Sequence, residues 1–393
     1  NVVGTDQLPI TIRTVVDTTN IGWQGFVCTS SQGGVLNADR FRISNAQTPF
    51  AYEAPLALYQ YTNCRFSHCG QAITLGNETI LNDCQFRGNT TAVYGWSYFT
   101  INNCFFKDNE TAINAYSTAF TMTNSSFVEN TTGLTFSAGV FDSMFIDNCI
   151  FQNNGAALSN PNNGKVQNST FLDNTIGIQG SYNCQIKNNV IEYNELGVNI
   201  SVLTSLTNNQ INNNMGGVRI SDISSATNAP IVQNNEICSN INFNVDNNTN
   251  VNYSLLSNCF CGLDSTGIEQ YLWDGYDDIT KGLISYALFD TSCLTVLRVI
   301  NKFTVSGIAN SIKSSMAVCR VIPEGFIQLD WDRPRDLEVR AYSLGGKLVH
   351  QAHPSLDQYL VDTRTWAVGV YVLLWRDTQT GESGLHKVHV SSR

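Results

Sequence analysis

Apolar residues recur along the chain in three columns with a period of about 20 residues. An anchor column is accompanied by one apolar column five residues before it and another seven residues after it. A fixed period of this length is typical of a repeat protein. The anchors are Phe66, Phe86, Phe106, Phe127, Phe151, Phe171, Ile191, Ile211, Ile237 and Cys261.

Two columns of asparagine separate these apolar columns, one three residues before the anchor and one three residues after it. Stacked about 4.8 Å apart, amide side chains can bond from one repeat to the next, which predicts structural ladders. The first ladder is expected to contain Asn63, Asn103, Asn124, Asn148, Asn168, Asn188, Asn208, Asn234 and Asn258, with Asp83 in the same column. The second is expected to contain Asn89, Asn109, Asn130, Asn154, Asn174, Asn194, Asn214 and Asn240.

This spacing predicts an all-β solenoid. Side chains of a strand alternate between its two faces, and the apolar column five residues before the anchor breaks that alternation. A corner must therefore lie between that column and the anchor, where asparagine tolerates unusual backbone angles. A period of about 20 residues without helical periodicity favours a parallel β-helix of about 10–12 coils over leucine-rich or helical repeats.

The consensus resembles the right-handed parallel β-helix repeat family of secreted bacterial proteins, over roughly residues 20–262. The segment Gly22–Val27 resembles an upstream coil, and Tyr271–Phe289 resembles the segment that closes such helices in Bacteroidetes surface proteins. We therefore expect a β-helix with a C-terminal cap over residues 1–290, with the start of the helix lying upstream of the sequence. Residues 291–315 are expected to form a linker.

The pattern changes to alternating strands over residues 316–393, which predicts a small antiparallel β-sandwich. Leu337–Val349, Gly369–Trp375 and His386–Val390 resemble the C-terminal sorting domain of type IX secretion cargo. The sequence VCRVIPEGF stands where that family usually has a Pro-Asn-Pro segment. The resemblance implies the type IX outer-membrane machinery as a partner and a secreted or cell-surface location. The alternative is a plain accessory β-sandwich.

Composition narrows the possible partners. The net charge is −10 and only 14% of the residues are charged, so the surface is polar mainly through Asn, Ser and Thr. Nucleic-acid binding needs clustered Lys and Arg, so a nucleic-acid partner is not expected. No apolar run has the length of a transmembrane helix, and the protein is expected not to span a membrane.

Several cysteines occupy one position of the repeat. Five of them, assigned to the position two residues before the anchor, are expected to face inward and to be unreactive because burial disfavours the thiolate. These are Cys64, Cys84, Cys104, Cys149 and Cys259. Disulfides involving Cys69, Cys293 or Cys319 are the alternative.

Carboxylates offer two candidate sites. Asp108, Glu129 and Asp173 share an outward turn two residues after the anchor, and two of them lie on adjacent coils at a separation that suits glycosidase chemistry. A solvated turn is the competing interpretation. The acidic loop Asp274–Asp278 could bind Ca²⁺ through Asp274, Asp277 and Asp278, or could simply belong to the cap. No other cofactor is expected.

Exposed aromatic residues suggest a function. Tyr94, Trp96, Tyr98 and Tyr116 could stack against sugars on a flat repeated face. Without a clear catalytic cluster, the sequence favours an adhesion or glycan-binding surface module. The alternatives are a polysaccharide lyase or glycoside hydrolase acting near Asp108 and Glu129, and a purely structural spacer.

Overall fold

The computed structural model describes most of the repeat region and the strands of the C-terminal region. The described residues are 2–5, 8–13, 25–28, 35–52, 58–75, 78–96, 98–116, 119–137, 143–223, 225–286, 289, 293, 318–322, 326–343, 348–367, 369–378 and 383–390. The chain divides into two compact units, Asn1–Gly307 and Ile308–Arg393. Apart from Cys293, the predicted linker 291–315 lies outside the described residues.

The first unit is a right-handed parallel β-helix, which confirms the predicted fold. Each coil contributes one short strand to each of three parallel sheets. Sheet 1 contains Val2–Val3, Val35–Asp39, Leu58–Thr62, Thr79–Asn82, Phe99–Asn102, Phe120–Thr123, Met144–Asp147, Gly164–Gln167, Gln185–Lys187, Ser205–Thr207 and Ile231–Gln233. Sheet 2 contains Ile10–Arg13, Phe41–Ser44, Arg65–Ser67, Gln85–Arg87, Phe105–Lys107, Ser126–Val128, Ile150–Gln152, Thr170–Leu172, Val190–Glu192, Gln210–Asn212 and Glu236–Cys238.

Sheet 3 follows the second corner of each coil. It contains Gln71–Leu75, Thr91–Gly95, Thr111–Tyr116, Thr132–Ser137, Ala156–Ser159, Ile176–Ser181, Leu196–Ile200, Gly216–Ile220, Phe243–Asn247 and Leu272–Trp273. Two short parallel pairs, Phe26–Cys28 with Phe50–Tyr52 and Tyr253–Ser254 with Ile284–Ser285, complete the strands of this unit. A 3₁₀ helix spans Ala226–Asn228 and an α-helix spans Ser265–Glu269.

The core is a stack of the predicted apolar columns. Six phenylalanines of the anchor column are buried, and their rings stack with centroids 4.6 to 5.2 Å apart, from Phe66 to Phe171. Burial of one such side chain contributes about 1.5–3 kcal/mol, and aromatic pairing adds about 0.5–1.5 kcal/mol. This repeated packing makes the helix a rigid support for its outer faces.

The continuous asparagine ladder is the second predicted column, not the first. From Asn89 to Asn240, each Nδ2 donates to Oδ1 of the next asparagine at 2.9 to 3.0 Å. All eight side chains are buried at the corner between sheets 2 and 3. Because these side chains point inward, they also bond the backbone of the preceding coils, as Asn154 does to the carbonyl of Phe127.

The first predicted column is instead a left-handed corner between sheets 1 and 2. Its members from Asn63 to Asn234 have φ between 51° and 57°, which projects their amides outward. They are half-buried or exposed, and their bonds are irregular: Asn148 donates to Asn124 at 2.7 Å, whereas Asn168 donates to Asp147. Asparagine is used here mainly because it tolerates this backbone conformation.

The last coil is shifted by one residue from the predicted alignment. Glu236 pairs with Cys259, so the buried ring of Phe260, not Cys261, continues the anchor column. Asn258 therefore leaves the first column and ends a short buried ladder that begins at Asn189. The assignment of Cys259 to the inward cysteine column was wrong for the same reason.

Two disulfides close the last coil. They join Cys238 to Cys261 and Cys259 to Cys293. Cys69 is a free, buried thiol, and the side chain of Cys319 lies outside the described residues.

The second unit is a six-stranded antiparallel sheet around its own small core. Its strands are Val318–Ile322, Phe326–Ser343, Leu348–Ala352, Ser355–Asp362, Gly369–Asp377 and Ser383–Val390. The 18-residue strand pairs with four others, one group along its first half and another along its second half. Leu329, Val339, Leu373 and Trp375 are buried in this core. Among the described residues, no helix has the length and apolar character needed to cross a membrane.

Candidate functional site

Four aromatic residues lie around the corner between sheets 3 and 1; we refer to Tyr94, Trp96, Tyr98 and Tyr116 as the aromatic corner. Trp96, Tyr98 and Tyr116 are 39%, 63% and 48% exposed, and Tyr94 is half-buried. Gly95 pairs with Ala115, so Trp96 and Tyr116, the next residue in each case, occupy equivalent positions on successive coils. Two large rings are thus presented one coil apart.

A stack of phenylalanine rings on the inner side of this corner packs beneath the exposed residues. Phe99 and Phe120 are buried, and Phe136 is partly buried. Phe99 packs against Gly95, where a larger residue would clash with its ring. Phe99 stacks on Phe120 with centroids 4.8 Å apart, and Phe120 stacks on Phe136 at 5.4 Å. The exposed rings therefore project from a packed and continuous part of the core.

Tyr94 also belongs to a straight column on the outer face of sheet 3, which we call the outer column. Strand register aligns its members from coil to coil, with a register shift just after Gln179. Between Tyr94 and the last coils the column carries hydroxyl and amide side chains without charge. Its members are Thr74, Tyr94, Asn114, Thr135, Ser159, Gln179, Asn199, Arg219, Asp246 and Trp273.

A charged and aromatic cluster occupies the far end of the outer column. The carboxylate of Asp246 is 3% exposed and accepts from Arg219 Nε at 2.8 Å and from Lys281 Nζ at 2.6 Å. Arg219 lies 5.4 Å from the ring centre of Phe243, and Lys281 lies 5.7 Å from that of Trp273. We call these five residues the cationic cluster.

Sequence reasoning did not single out the cationic cluster. Arg219 and Asp246 are 27 residues apart because the corner over residues 221–230 is longer than its counterparts, which hides their equivalence in the repeat. Lys281 follows the last strand of sheet 3, Leu272–Trp273, and lies outside the repeat. In each strand of sheet 3 the residue after the inward apolar residue faces outward. Had this rule been applied to Val218 and Val245, it would have placed Arg219 and Asp246 in one column.

The three carboxylate candidates lie on the corner between sheets 2 and 3. Asp108, Glu129 and Asp173 all have left-handed backbones, with φ of 56°, 56° and 53°. Asp108 and Glu129 lie on adjacent coils and are exposed, and each is paired with a cation: Arg87 at 3.1 Å and Lys107 at 2.9 Å, respectively. Both carboxylates are therefore open to water and already engaged in ion pairs on the corner.

The three aspartates considered for Ca²⁺ stabilise the turns of their loop. Asp274 accepts from the backbone of Tyr276 at 2.8 Å and of Ile284 at 2.6 Å, and Asp277 accepts from the backbone of Asp274. Asp278 accepts from Thr280. Within the described ranges, the one group of three or more potential metal ligands consists of Cys238, Cys261 and Cys293, which the two disulfides engage.

Comparison with known proteins identifies the repeat. Residues 92–237 match the family described as the right handed beta helix region. Tailspike protein 3 of bacteriophage CBA120 is a similar solved structure, at 11% identity and a TM-score of 0.31, over 88% of this chain and 61% of that one. The chain thus spans less than two thirds of that tailspike. No curated protein matches. The family match shows the β-helix repeat over residues 92–237.

Proposed function

We propose that this protein is a secreted or cell-surface module that binds glycans through the aromatic corner. The observation that carries the proposal is the pair of exposed rings, Trp96 and Tyr116, at equivalent positions on successive coils. They adjoin the uncharged part of the outer column of sheet 3, which begins with Thr74 and Tyr94. Adhesion to a glycan-coated surface is the role that we assign to this arrangement.

The chemistry of sugars suits this surface. A pyranose ring has an apolar face, which stacks on an aromatic ring, and a rim of hydroxyl groups, which bond hydroxyl and amide side chains. Both kinds of group are present on one rigid sheet, so little side-chain or backbone freedom is lost when a ligand binds. Asn114 and Thr135 continue the polar column directly beside Tyr94.

Substitution of the exposed rings tests the proposal. Trp96→Ala and Tyr116→Ala should each weaken binding on a glycan array by about 5- to 100-fold, the equivalent of about 1–3 kcal/mol for one lost stacking platform. Tyr182→Ala is the matched control, because Tyr182 is 39% exposed at the same corner of another coil. It should bind like wild type. Absence of glycan and cell-surface binding by the wild-type protein would refute the proposal.

The C-terminal unit has a separate proposed role. We propose that residues 316–393 direct export through a type IX-like outer-membrane machinery. Support comes from the sequence resemblance and from the separate core around Val339 and Leu373, which suits a transferable module. A passenger protein fused to residues 308–393 should reach the surface or medium of a host that has this machinery. Retention of the fusion in the periplasm would refute this role.

A further inference from the structure

The cationic cluster has a charge that sets it apart from the rest of the outer column. Two cations, Arg219 and Lys281, share the single buried carboxylate of Asp246, which leaves one net positive charge. The protein as a whole has a net charge of −10. The neighbouring carboxylate of Asp278 also attracts Lys281, so the positive charge is local and suits a small anionic group rather than a long polyanion.

Arg219 retains binding capacity in this arrangement. Its bond to Asp246 is made by Nε, and the described residues provide no hydrogen-bond partner for its two Nη atoms. The side chain is 37% exposed. A guanidinium with a free pair of nitrogens matches the two oxygens of a carboxylate in a bidentate bond. Asp246 and the ring of Phe243 fix the orientation of this side chain.

An aromatic platform lies beside the cations. Trp273 is 45% exposed, and it follows Asp246 in the outer column because the two residues are paired in strand register. Its ring centre lies 5.7 Å from Lys281 Nζ and 5.7 Å from the ring of Phe243. A ligand that spans this cluster therefore meets an apolar ring face and a cation side by side.

A cation beside an exposed aromatic ring matches a uronic acid, which is a sugar that carries a carboxylate on its ring. The carboxylate can bond the cation while the apolar face of the sugar stacks on the aromatic ring. We propose that Arg219, Lys281 and Trp273 form a subsite for a carboxylate-bearing sugar of the bound glycan. The inference rests on the proposed glycan-binding function and extends it, because it assigns an acidic glycan as the ligand class. The subsite begins at Arg219, six coil steps from Tyr94 along the outer column, and ends at Trp273, eight steps away, which is roughly 29–38 Å at the usual strand spacing.

A panel of uronate-containing oligosaccharides, each compared with its methyl ester, tests the subsite. Esterification removes the charge and leaves the sugar ring in place. The wild-type protein should bind at least one free acid about 10- to 100-fold more tightly than its ester, as expected for a charge-assisted bidentate bond. Arg219→Gln should abolish that preference, and Arg219→Lys, which keeps the charge without the planar fork, should restore it in part.

Two further variants separate binding from folding and from general electrostatics. Arg87→Gln removes one positive charge from an exposed corner outside the cluster and should keep the preference for the free acid. Trp273→Ala removes an exposed ring without removing an ion-pair partner and should weaken binding of acid and ester alike. Thermal unfolding of each variant checks that the helix is intact.

The outcomes distinguish this inference from the proposed function. Equal binding of acid and ester, or equal effects of Arg219→Gln and Arg87→Gln, would overturn the subsite. If Trp96→Ala still weakened binding in that case, the glycan-binding function would stand. Tighter binding of a sulfated sugar than of any uronate would overturn the assignment to a carboxylate. Binding of no glycan at all would overturn both proposals.

Discussion

Asn154→Ala should destabilise the β-helix strongly, because Asn154 lies in the buried ladder between sheets 2 and 3. Its Oδ1 accepts from the backbone N–H and from Nδ2 of Asn130, each at 3.0 Å. Its Nδ2 donates to Oδ1 of Asn174 and to the carbonyl of Phe127, each at 3.0 Å. The side chain is 3% exposed, so water cannot replace these partners.

The magnitude follows from the groups left without partners. Nδ2 of Asn130 keeps a bond to the carbonyl of Phe106 at 3.2 Å, and Oδ1 of Asn174 keeps the backbone N–H of Asn154. The N–H of Asn130 and the carbonyl of Phe127 lose their ladder partners. At about 1–3 kcal/mol for each buried unsatisfied group, the free energy of unfolding should fall by about 2–6 kcal/mol.

The adjacent residue provides a matched control. Asn153 is exposed at the left-handed corner with φ of 55°, a conformation that glycine adopts without strain. Asn153→Gly should therefore change the free energy of unfolding by less than about 1 kcal/mol. Urea denaturation followed by circular dichroism measures both variants. If Asn154→Ala lowers the free energy of unfolding no more than Asn153→Gly does, the ladder does not stabilise the β-helix by the expected amount.

Two further predictions concern titratable groups. Burial raises the pKa of the Cys149 and Cys184 thiols to about 12, so native protein at pH 8 should leave both unmodified by iodoacetamide, and mass spectrometry should find them labelled only after unfolding. Because these pKa values are raised on folding, their contribution to stability is complete below the unfolded pKa near 9 and declines as pH rises from 9 towards 12. Cys149→Ser copies the serine found in this column on other coils. In this variant the free energy of unfolding should fall less between pH 8 and pH 10 than in the wild-type protein. An equal fall in both proteins would contradict the argument. The combined change Asp108→Asn and Glu129→Gln should alter the free energy of unfolding by less than about 1 kcal/mol, because both ion pairs are exposed. It should also leave any polysaccharide degradation unchanged, whereas a loss of such activity would favour the enzyme alternative.

The sequence alone was sufficient for the repeat. Strand alternation and stacking are local rules, and ten repetitions of them made the inward positions of Phe106 and Ile113 evident. The sequence presented Trp96 and Tyr116 as exposed rings on a flat repeated face, whereas the structure places them around the corner between sheets 3 and 1. The repeat also placed Asp108 on an outward turn, although only the structure shows that the backbone of this turn is left-handed.

Only the tertiary structure decided which asparagine column is buried. Asn103 and Asn109 look equivalent in the repeat, but the direction of the side chain depends on the backbone angles of the corner, and these turn Asn103 outward and Asn109 inward. The same is true of the last coil, where one residue of slippage brings Phe260 into the core and leaves Cys261 for a disulfide.

The cationic cluster depends most on tertiary structure. Arg219, Asp246 and Lys281 come from two coils and the cap, separated by connections whose lengths the repeat does not predict. Periodicity determines what happens within a coil and between coils of equal length, because each strand is constrained by the strand that it pairs with. Where a corner lengthens or the helix is capped, long-range packing decides which side chains meet.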